Sequence, residues 1–185
     1  MKKSTNILIF IIRGTNVNAS NVFGETPLHK AVLNPSVRLL MVRLLLESGP
    51  VEVNAFTEKG ESPLHYAIHL KRRDLVSALL NYGADPNLKA KGSKSAMEIA
   101  VEEGDPEISL LISNTIELSD WLSSIDMKQY LSLFIKELVF KDVLLVINEK
   151  TLVDLGITWA GDRLRILQAI QKLKQDGTMN LSETN

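Results

Sequence analysis

Cysteine, aromatic residues and an excess of either charge are all scarce in this sequence. Its 185 residues include no cysteine, 5% are aromatic, and 21 lysines and arginines stand against 22 aspartates and glutamates. The absence of cysteine excludes disulfides, thiolate metal sites and cysteine nucleophiles, and it suits a reducing compartment, so we expect a cytoplasmic protein. A formal net charge of −1 gives no reason to expect nucleic acid or an anionic membrane as a partner.

Hydrophobic runs are short. The apolar run from Ile7 to Ile12 follows a cationic start at Lys2 and Lys3 and contains six residues. A secretory signal needs roughly seven to fifteen apolar residues, and a membrane helix needs about twenty. We therefore expect no membrane span and assign this run to a helix of the folded protein.

Side chains that carry out catalysis or bind metals are also few. The chain has three histidines, His29, His65 and His69. The last two are four residues apart, as on one helical face, but no H-E-x-x-H pattern accompanies them. A glycine-rich phosphate loop after a strand and a G-x-S-x-G elbow are missing as well. We expect no enzyme, no cofactor, no bound metal and no small-molecule substrate.

An internal repeat dominates the first half of the chain. The motif that begins at Gly24 recurs from Gly60, and a weaker copy begins at Ser93. The corresponding hydroxyl residues are 36 and then 33 residues apart, and an asparagine stands eight residues before each of them. A fixed period of this length indicates stacked structural repeats. The three asparagine and hydroxyl pairs are Asn18 and Thr26, Asn54 and Ser62, and Asn87 and Ser95.

The repeated residues predict where helices begin. Thr26 and Ser62 are favourable N-cap residues, and the proline after each occupies a first helical position that needs no N–H. Apolar residues at helical spacing in 37–46 and 74–80 predict a second helix in each unit, and a glycine follows each segment. Each unit is therefore predicted to contain a helix, a turn, a second helix and a loop.

The period and the motifs Thr-Pro-Leu-His-Lys-Ala at Thr26 and Ser-Pro-Leu-His-Tyr-Ala at Ser62 resemble the ankyrin repeat. The resemblance implies that residues 1–114 hold a partial repeat over 1–18 and three repeats that start near 19, 55 and 88. It also implies that the motif histidines hydrogen-bond between neighbouring repeats.

This register has consequences for both ends of the array. Residues 6–14 become the second helix of the partial repeat, so the chain begins within a repeat, as a fragment of a longer protein would. In the third copy Ala96 and Glu98 replace proline and histidine. We expect this copy to be a polar end cap, with Asp105 and Pro106 beginning its second helix.

After Asn114 the period is lost and a different pattern begins. Its ordered elements resemble the sterile alpha motif (SAM) domain over 115–177, and they leave 178–185 as a polar tail. The resemblance implies a five-helix bundle with the aromatic residues in its core and an apolar stripe at 164, 167, 170 and 173 on the last helix. The elements are Trp121-Leu122, Tyr130-x-x-x-Phe134, Leu155-Gly156-Ile157 and Gly161-x-Arg163-x-x-Ile166-Leu167.

The predicted fold class is all-α, with an ankyrin-repeat solenoid of helix-turn-helix repeats with hairpin loops, followed by the five-helix SAM bundle. Ankyrin repeats hold proteins with their loop tips and inner helices. Phe23 is the strongest candidate for contact with a protein partner, since core packing does not require an aromatic side chain at a loop tip. The alternative is that Phe23 packs against its own repeat. The other matching positions are Val22, Glu25, Leu33, Asn34, Glu58, Lys59, Glu61, His69, Leu70, Lys91, Lys94, Glu102 and Glu103.

The SAM resemblance implies a head-to-tail contact between two domains, from the middle of one to the start of the last helix of another. Such a contact can propagate into open chains. SAM domains that stay monomeric or pair with a different SAM domain leave self-association open. The candidates at the last helix are Trp159, Arg163 and Arg165, and the acidic candidates on the opposite side are Asp142, Glu149 and Asp154.

Two interaction modules without a catalytic set indicate a non-enzymatic adaptor or scaffold in intracellular signalling. The ankyrin stack would bind a protein partner, and the SAM domain would bind a SAM domain of the same or another protein. One alternative is a regulatory fragment of a larger signalling enzyme, either a kinase or a poly-ADP-ribosyltransferase. The other is RNA-hairpin binding by the SAM domain, which the 8 Lys+Arg against 9 Asp+Glu in 115–177 disfavour.

Overall fold

The structure is a computed structural model that describes residues 16–89 and 92–179, with side chains to residue 176 in the last helix. The chain divides into two compact units, Met1–Ser113 and Asn114–Asn185. All regular elements among the described residues are helices, and the expected all-α class is confirmed. The helix predicted over 6–14, the candidate Lys91 and most of the polar tail lie outside the described residues.

Helix pairs build the first unit. The first helices of successive pairs pack on each other, α1 on α3 and α3 on α5, and α2 packs on α4. The pairs are α1 (Pro27–Leu33) with α2 (Leu39–Glu47), α3 (Pro63–His69) with α4 (Arg73–Asn81), and α5 (Ala96–Glu103) with the beginning of α6 (Pro106–Ser124).

Local chemistry begins these helices where the sequence predicts. Thr26 and Ser62 are the N-caps of α1 and α3, each followed by proline. At α6, the Asp105 carboxylate accepts hydrogen bonds from the backbone N–H groups of Glu107 and Ile108, both at 3.1 Å. Such bonds pair donors that the first helical turn would otherwise leave free.

Aliphatic side chains from both helices of each pair form one continuous core in the first unit. The spacing of three and four residues in the sequence directs them to one side of each helix. Members with at most 1% exposure include Leu28, Ala31, Val42, Leu45, Leu64, Ile68, Leu75, Leu79 and Ile108.

Five of the described helices build the second unit. The end of α6 is followed by a 3₁₀ turn (Lys128–Tyr130), α7 (Leu131–Lys136), α8 (Lys141–Leu144), α9 (Glu149–Asp154) and α10 (Ala160–Met179). Gly156 has φ +95° just after α9 ends. The most deeply buried apolar side chains of this unit are Leu122, Met127, Phe134, Ile135, Leu152, Ile157, Ile166 and Ile170.

Two expectations about this core were wrong in part. Of the three aromatic residues, Phe134 is fully buried, whereas Trp121 and Tyr130 are half-buried. On α10 the buried residues are Ile166 and Ile170, and Leu164 is 57% exposed. Residues three apart are separated by 300° around a helix of 3.6 residues per turn, which is less than a full turn. Residues repeated at that spacing therefore shift around the helix and leave one face within three steps.

The described helices include none that is both long enough and apolar enough to cross a bilayer.

Candidate protein-interaction surfaces

His29 joins the first full repeat to the second. Its Nδ1 atom accepts a hydrogen bond from the backbone N–H of its own N-cap, Thr26, at 3.1 Å. That bond leaves the ring proton on Nε2, which donates to the backbone carbonyl of Glu61 at 3.1 Å. One imidazole therefore caps a helix and ties it to the next repeat.

His65 makes the same connection one repeat later. Its Nδ1 accepts from the N–H of Ser62 at 2.9 Å, and its Nε2 donates to the carbonyl of Lys94 at 2.9 Å. Burial lowers the pKa of both His29 and His65, so the neutral ring that this geometry requires is also the favoured form. The implied role of the motif histidines between repeats is confirmed.

The loop asparagines connect the repeats a second time. The Asn18 side chain accepts from the backbone N–H of Glu52 at 2.8 Å and donates to the carbonyl of Pro50 at 2.7 Å. The same pair of bonds recurs one repeat later between Asn54 and the backbone of Asp85 (2.9 Å) and Gly83 (3.0 Å). These bonds explain why an asparagine precedes the first two motifs at the same distance.

The third repeat replaces the connecting histidine with a carboxylate. Glu98 accepts a hydrogen bond from the N–H of its N-cap Ser95 at 2.5 Å and pairs with Lys89 at 3.6 Å. The backbone hydrogen bond from Ser95 is the main reason that the pKa of Glu98 is lowered. Glu98 therefore keeps the capping bond of the motif histidines, but a carboxylate has no N–H to donate to a following repeat.

The loop tips of the first two full repeats lie against each other. The backbone N–H of Glu58 donates to the carbonyl of Phe23 at 3.0 Å. Gly24 has φ +74°, and a Cβ atom there would lie 3.0 Å from Glu58 N and Thr57 Cα. The side chains of Val22 and Phe23 are 80% and 62% exposed, so Phe23 is not folded back onto its own repeat.

Most charged candidates of the first unit that the structure describes have a partner of opposite charge. Glu25 contacts Lys30 and accepts from Asn21 at 2.8 Å, and the hydrogen bond from Lys30 is the main cause of the lowered pKa of Glu25. Lys94 pairs with Glu102 at 2.5 Å. Each pair neutralises its own charges on the surface.

A second charged cluster surrounds His69. Its Nδ1 lies 2.8 Å from the Glu103 carboxylate, and its Nε2 lies 3.6 Å from Glu61. The hydrogen bond with His69 is the main reason that the pKa of Glu103 is lowered. Lys71 closes the cluster by donating to the Glu103 carbonyl at 2.8 Å.

The remaining candidates of the first unit fall into two groups. Among the described residues, Glu58 and Lys59 carry exposed charges without an ion-pair partner. Leu70 is 46% exposed, whereas Leu33 and Asn34 are half-buried. The exposed apolar side chains are therefore the most distinctive feature that this surface offers to a partner.

Two residues of this unit were missed by reasoning from sequence. Lys71 adopts the left-handed conformation, at φ +52°, in the turn between α3 and α4. Gly104 occupies the equivalent turn in the third repeat, so an alignment of the repeats could have indicated a left-handed residue at Lys71. Arg73 donates to the Asp105 carboxylate at 3.0 Å, across 32 residues of sequence, and no local pattern indicated that contact.

At the start of α10 the three candidates have different environments. Trp159 is 74% exposed and Arg165 is exposed, but the side chain of Arg163 is only 14% exposed. The Arg163 guanidinium donates to the backbone carbonyls of Ile157 at 3.0 Å and Thr158 at 2.6 Å. The Arg163 side chain is therefore hydrogen-bonded within its own domain.

The acidic candidates have different surroundings. Asp142 is exposed on α8, whereas Asp154 lines a surface groove between α7 and α9 together with Lys136. Glu149, expected opposite the basic residues, lies 3.5 Å from the Arg163 guanidinium.

The aliphatic side chains near Asp142 were missed from sequence. Val143 and Val146 are 47% and 75% exposed. They lie in a hydrophobic stretch that reads as core, and only the structure shows which of its members face outward.

Comparison with known proteins identifies both units. A family model of ankyrin repeats matches residues 1–90, and a model of the SAM domain (sterile alpha motif) matches residues 113–174. A probable serine/threonine-protein kinase of Dictyostelium discoideum is 44% identical over 177 residues, which are 96% of this chain and 21% of that protein. Stress-activated protein kinase alpha of the same organism is 47% identical over 171 residues, 92% of this chain and 27% of that protein.

Proposed function

Because the chain is an ankyrin-repeat protein with a carboxyl-terminal SAM domain, we propose that it is a non-catalytic adaptor whose two units bind different proteins. Both kinds of domain are protein-interaction domains, and a role in protein interaction follows from them directly. The observation that supports separate partners is one exposed aromatic side chain on each unit, Phe23 on the first and Trp159 on the second. Large exposed aromatic side chains are frequent hot spots of protein interfaces.

The second unit binds another SAM domain head to tail. Trp159, Leu164 and Arg165 are exposed at the start of α10, and we call them the basic surface. Asp142 and Val146 are exposed at and just after α8, and we call them the acidic surface. An aromatic anchor and opposite charges favour contact between the two surfaces. Because they are different surfaces of one domain, their contact is heterologous and can extend into a chain of copies.

The first unit binds a protein partner at the loop tips and inner helices. Val22 and Phe23 provide an apolar tip, and Leu70 is an exposed apolar residue of the second repeat. Because the neighbouring charges are largely paired, we expect binding to depend on apolar contact and to change little with salt.

A specific observation favours a second candidate, in which this region belongs to a larger serine/threonine kinase. The chain spans about a fifth to a quarter of the length of the Dictyostelium kinases that it matches. As a regulatory region it would place a kinase beside its partners and the SAM contact would bring copies together. The cysteine-free composition suits the cytoplasm for either role.

Sedimentation of the 185-residue chain tests the proposed SAM contact. We expect the average mass to rise between roughly 1 and 100 µM, since small interfaces give weak association. Trp159→Ala should abolish the rise. Phe23→Ala, the matched aromatic truncation on the other unit, should leave the rise intact, and a wild-type monomer at every concentration would refute the contact.

A further inference from the structure

The segment that carries Trp159 has little structure of its own to hold it. It lies between the end of α9 and the beginning of α10, after Gly156 at φ +95°. Ile157 anchors one end in the core, at 0% exposure, whereas Trp159 is 74% exposed two residues later. An exposed aromatic side chain on a short loop needs another contact if it is to keep one orientation.

Arg163 supplies that contact from the first turn of α10. Its Nη1 atom donates to the carbonyls of both Ile157 and Thr158, at 3.0 and 2.6 Å. Its backbone N–H donates to the Trp159 carbonyl at 3.1 Å. Three consecutive carbonyls, those of residues 157, 158 and 159, are therefore bound by one residue.

We propose that Arg163 is a positioning residue that holds 157–159 in the conformation that presents Trp159. This inference rests on the proposed SAM contact, in which Trp159 is the anchor. A loop that is ordered before binding loses less conformational entropy on association. Arg163 thereby strengthens the contact without belonging to the contact surface.

Charge does not account for the position of Arg163. Its only acidic partner among the described residues is Glu149, whose side chain is 67% exposed at 3.5 Å, and exposed pairs of this kind contribute little. The guanidinium is planar, so the two N–H groups of its Nη1 atom have fixed directions, and together they reach two carbonyls. An ammonium group carries the same charge but has no fixed fork of donors.

Arg165 is the matched control. It lies two residues later on the same helix and is exposed, with no hydrogen-bond or ion-pair partner among the described residues. Arg163→Met and Arg165→Met remove the same charge and keep a flexible apolar stem. They differ in whether the carbonyls at 157 and 158 lose their donors.

Backbone ¹⁵N relaxation of the full chain, at a concentration where it is monomeric, tests the positioning role. We expect order parameters at Thr158 and Trp159 near 0.85 in the wild type and below about 0.6 in Arg163→Met, with Arg165→Met unchanged. Arg163→Lys, which keeps the charge and a donor, should give intermediate values and guards against misfolding of the methionine variant. Unchanged order in all three variants overturns the proposal.

Association distinguishes this inference from the SAM contact itself. We expect Arg163→Met to weaken self-association about threefold to tenfold and Arg163→Lys to restore only part of it, because the donors matter more than the charge. Association of Arg163→Met equal to that of the wild type overturns the positioning role. A wild-type chain that stays monomeric refutes the SAM contact, while the relaxation data still decide whether Arg163 orders the loop.

Discussion

Truncation of His65 should destabilise the first unit far more than truncation of its neighbour His69. His65→Ala removes the bond to the Lys94 carbonyl and leaves the buried N–H of Ser62 without its acceptor. A net hydrogen bond contributes about 1 kcal/mol, and a buried donor left unpaired costs about 1–3 kcal/mol. The expected loss is about 3 kcal/mol, a large part of the 5–15 kcal/mol that stabilises a typical domain.

His69 is the matched control, since it lies one turn later on the same helix. Its side chain is 41% exposed and its partners are surface carboxylates, so His69→Ala should cost less than about 1 kcal/mol. Urea unfolding followed by far-UV circular dichroism measures both losses, and hydrogen exchange should locate the His65→Ala loss in α3 and α5. Equal destabilisation by the two variants would refute the inter-repeat role of the motif histidine.

Three further predictions concern pH and backbone conformation. Burial lowers the folded-state pKa of His29 and His65 below the ordinary value of 6.5. The free energy of unfolding should therefore fall as the pH drops from 6.5 through the lowered pKa values. Replacement of both histidines with glutamine should remove this pH dependence in urea titrations. Gly24→Ala should destabilise the first unit by about 1–3 kcal/mol. The left-handed φ is unfavourable for alanine, and its Cβ atom would lie only 3.0 Å from Glu58 N. A thermal midpoint equal to that of the wild type would contradict this prediction. Leu138→Gly should stabilise the second unit by up to about 1 kcal/mol, since Leu138 has φ +54° and is 59% exposed. Tryptophan fluorescence during urea unfolding measures the stability of that unit, because it contains both tryptophans.

Local patterns predicted the repeat and its caps well. The motif at Thr26 and Ser62 encodes a cap, a first-turn proline and a histidine within four residues, so its geometry is nearly independent of the rest of the chain. The spacing of Asn18 and Asn54 likewise predicted equivalent loop positions. Such features are readable because the atoms that interact are close in sequence or repeat at a fixed period.

Properties that depend on packing could not be read in this way. The sequence placed Arg163 and Glu149 on opposite surfaces, whereas the structure brings them to 3.5 Å. The SAM pattern includes Arg163 and not Arg165, but it does not give the contacts of Arg163, because only the path of the preceding loop decides which guanidinium meets the carbonyls. The outward orientation of Val146 within an apolar stretch is also set by the neighbouring helices.

The proposed head-to-tail contact is tested most directly by mixing two variants that each lose one surface. Trp159→Ala disables the basic surface, and Val146→Lys places a cation in the acidic surface, so each variant alone should sediment as a monomer of about 20.6 kDa. Their mixture retains one intact surface of each kind, so the heterologous contact predicts a dimer of twice that mass that does not extend further. Single variants that associate like the wild type would show that other surfaces are used. Monomeric single variants whose mixture also stays monomeric, while the wild type associates, would show one isologous surface; either result would contradict the account.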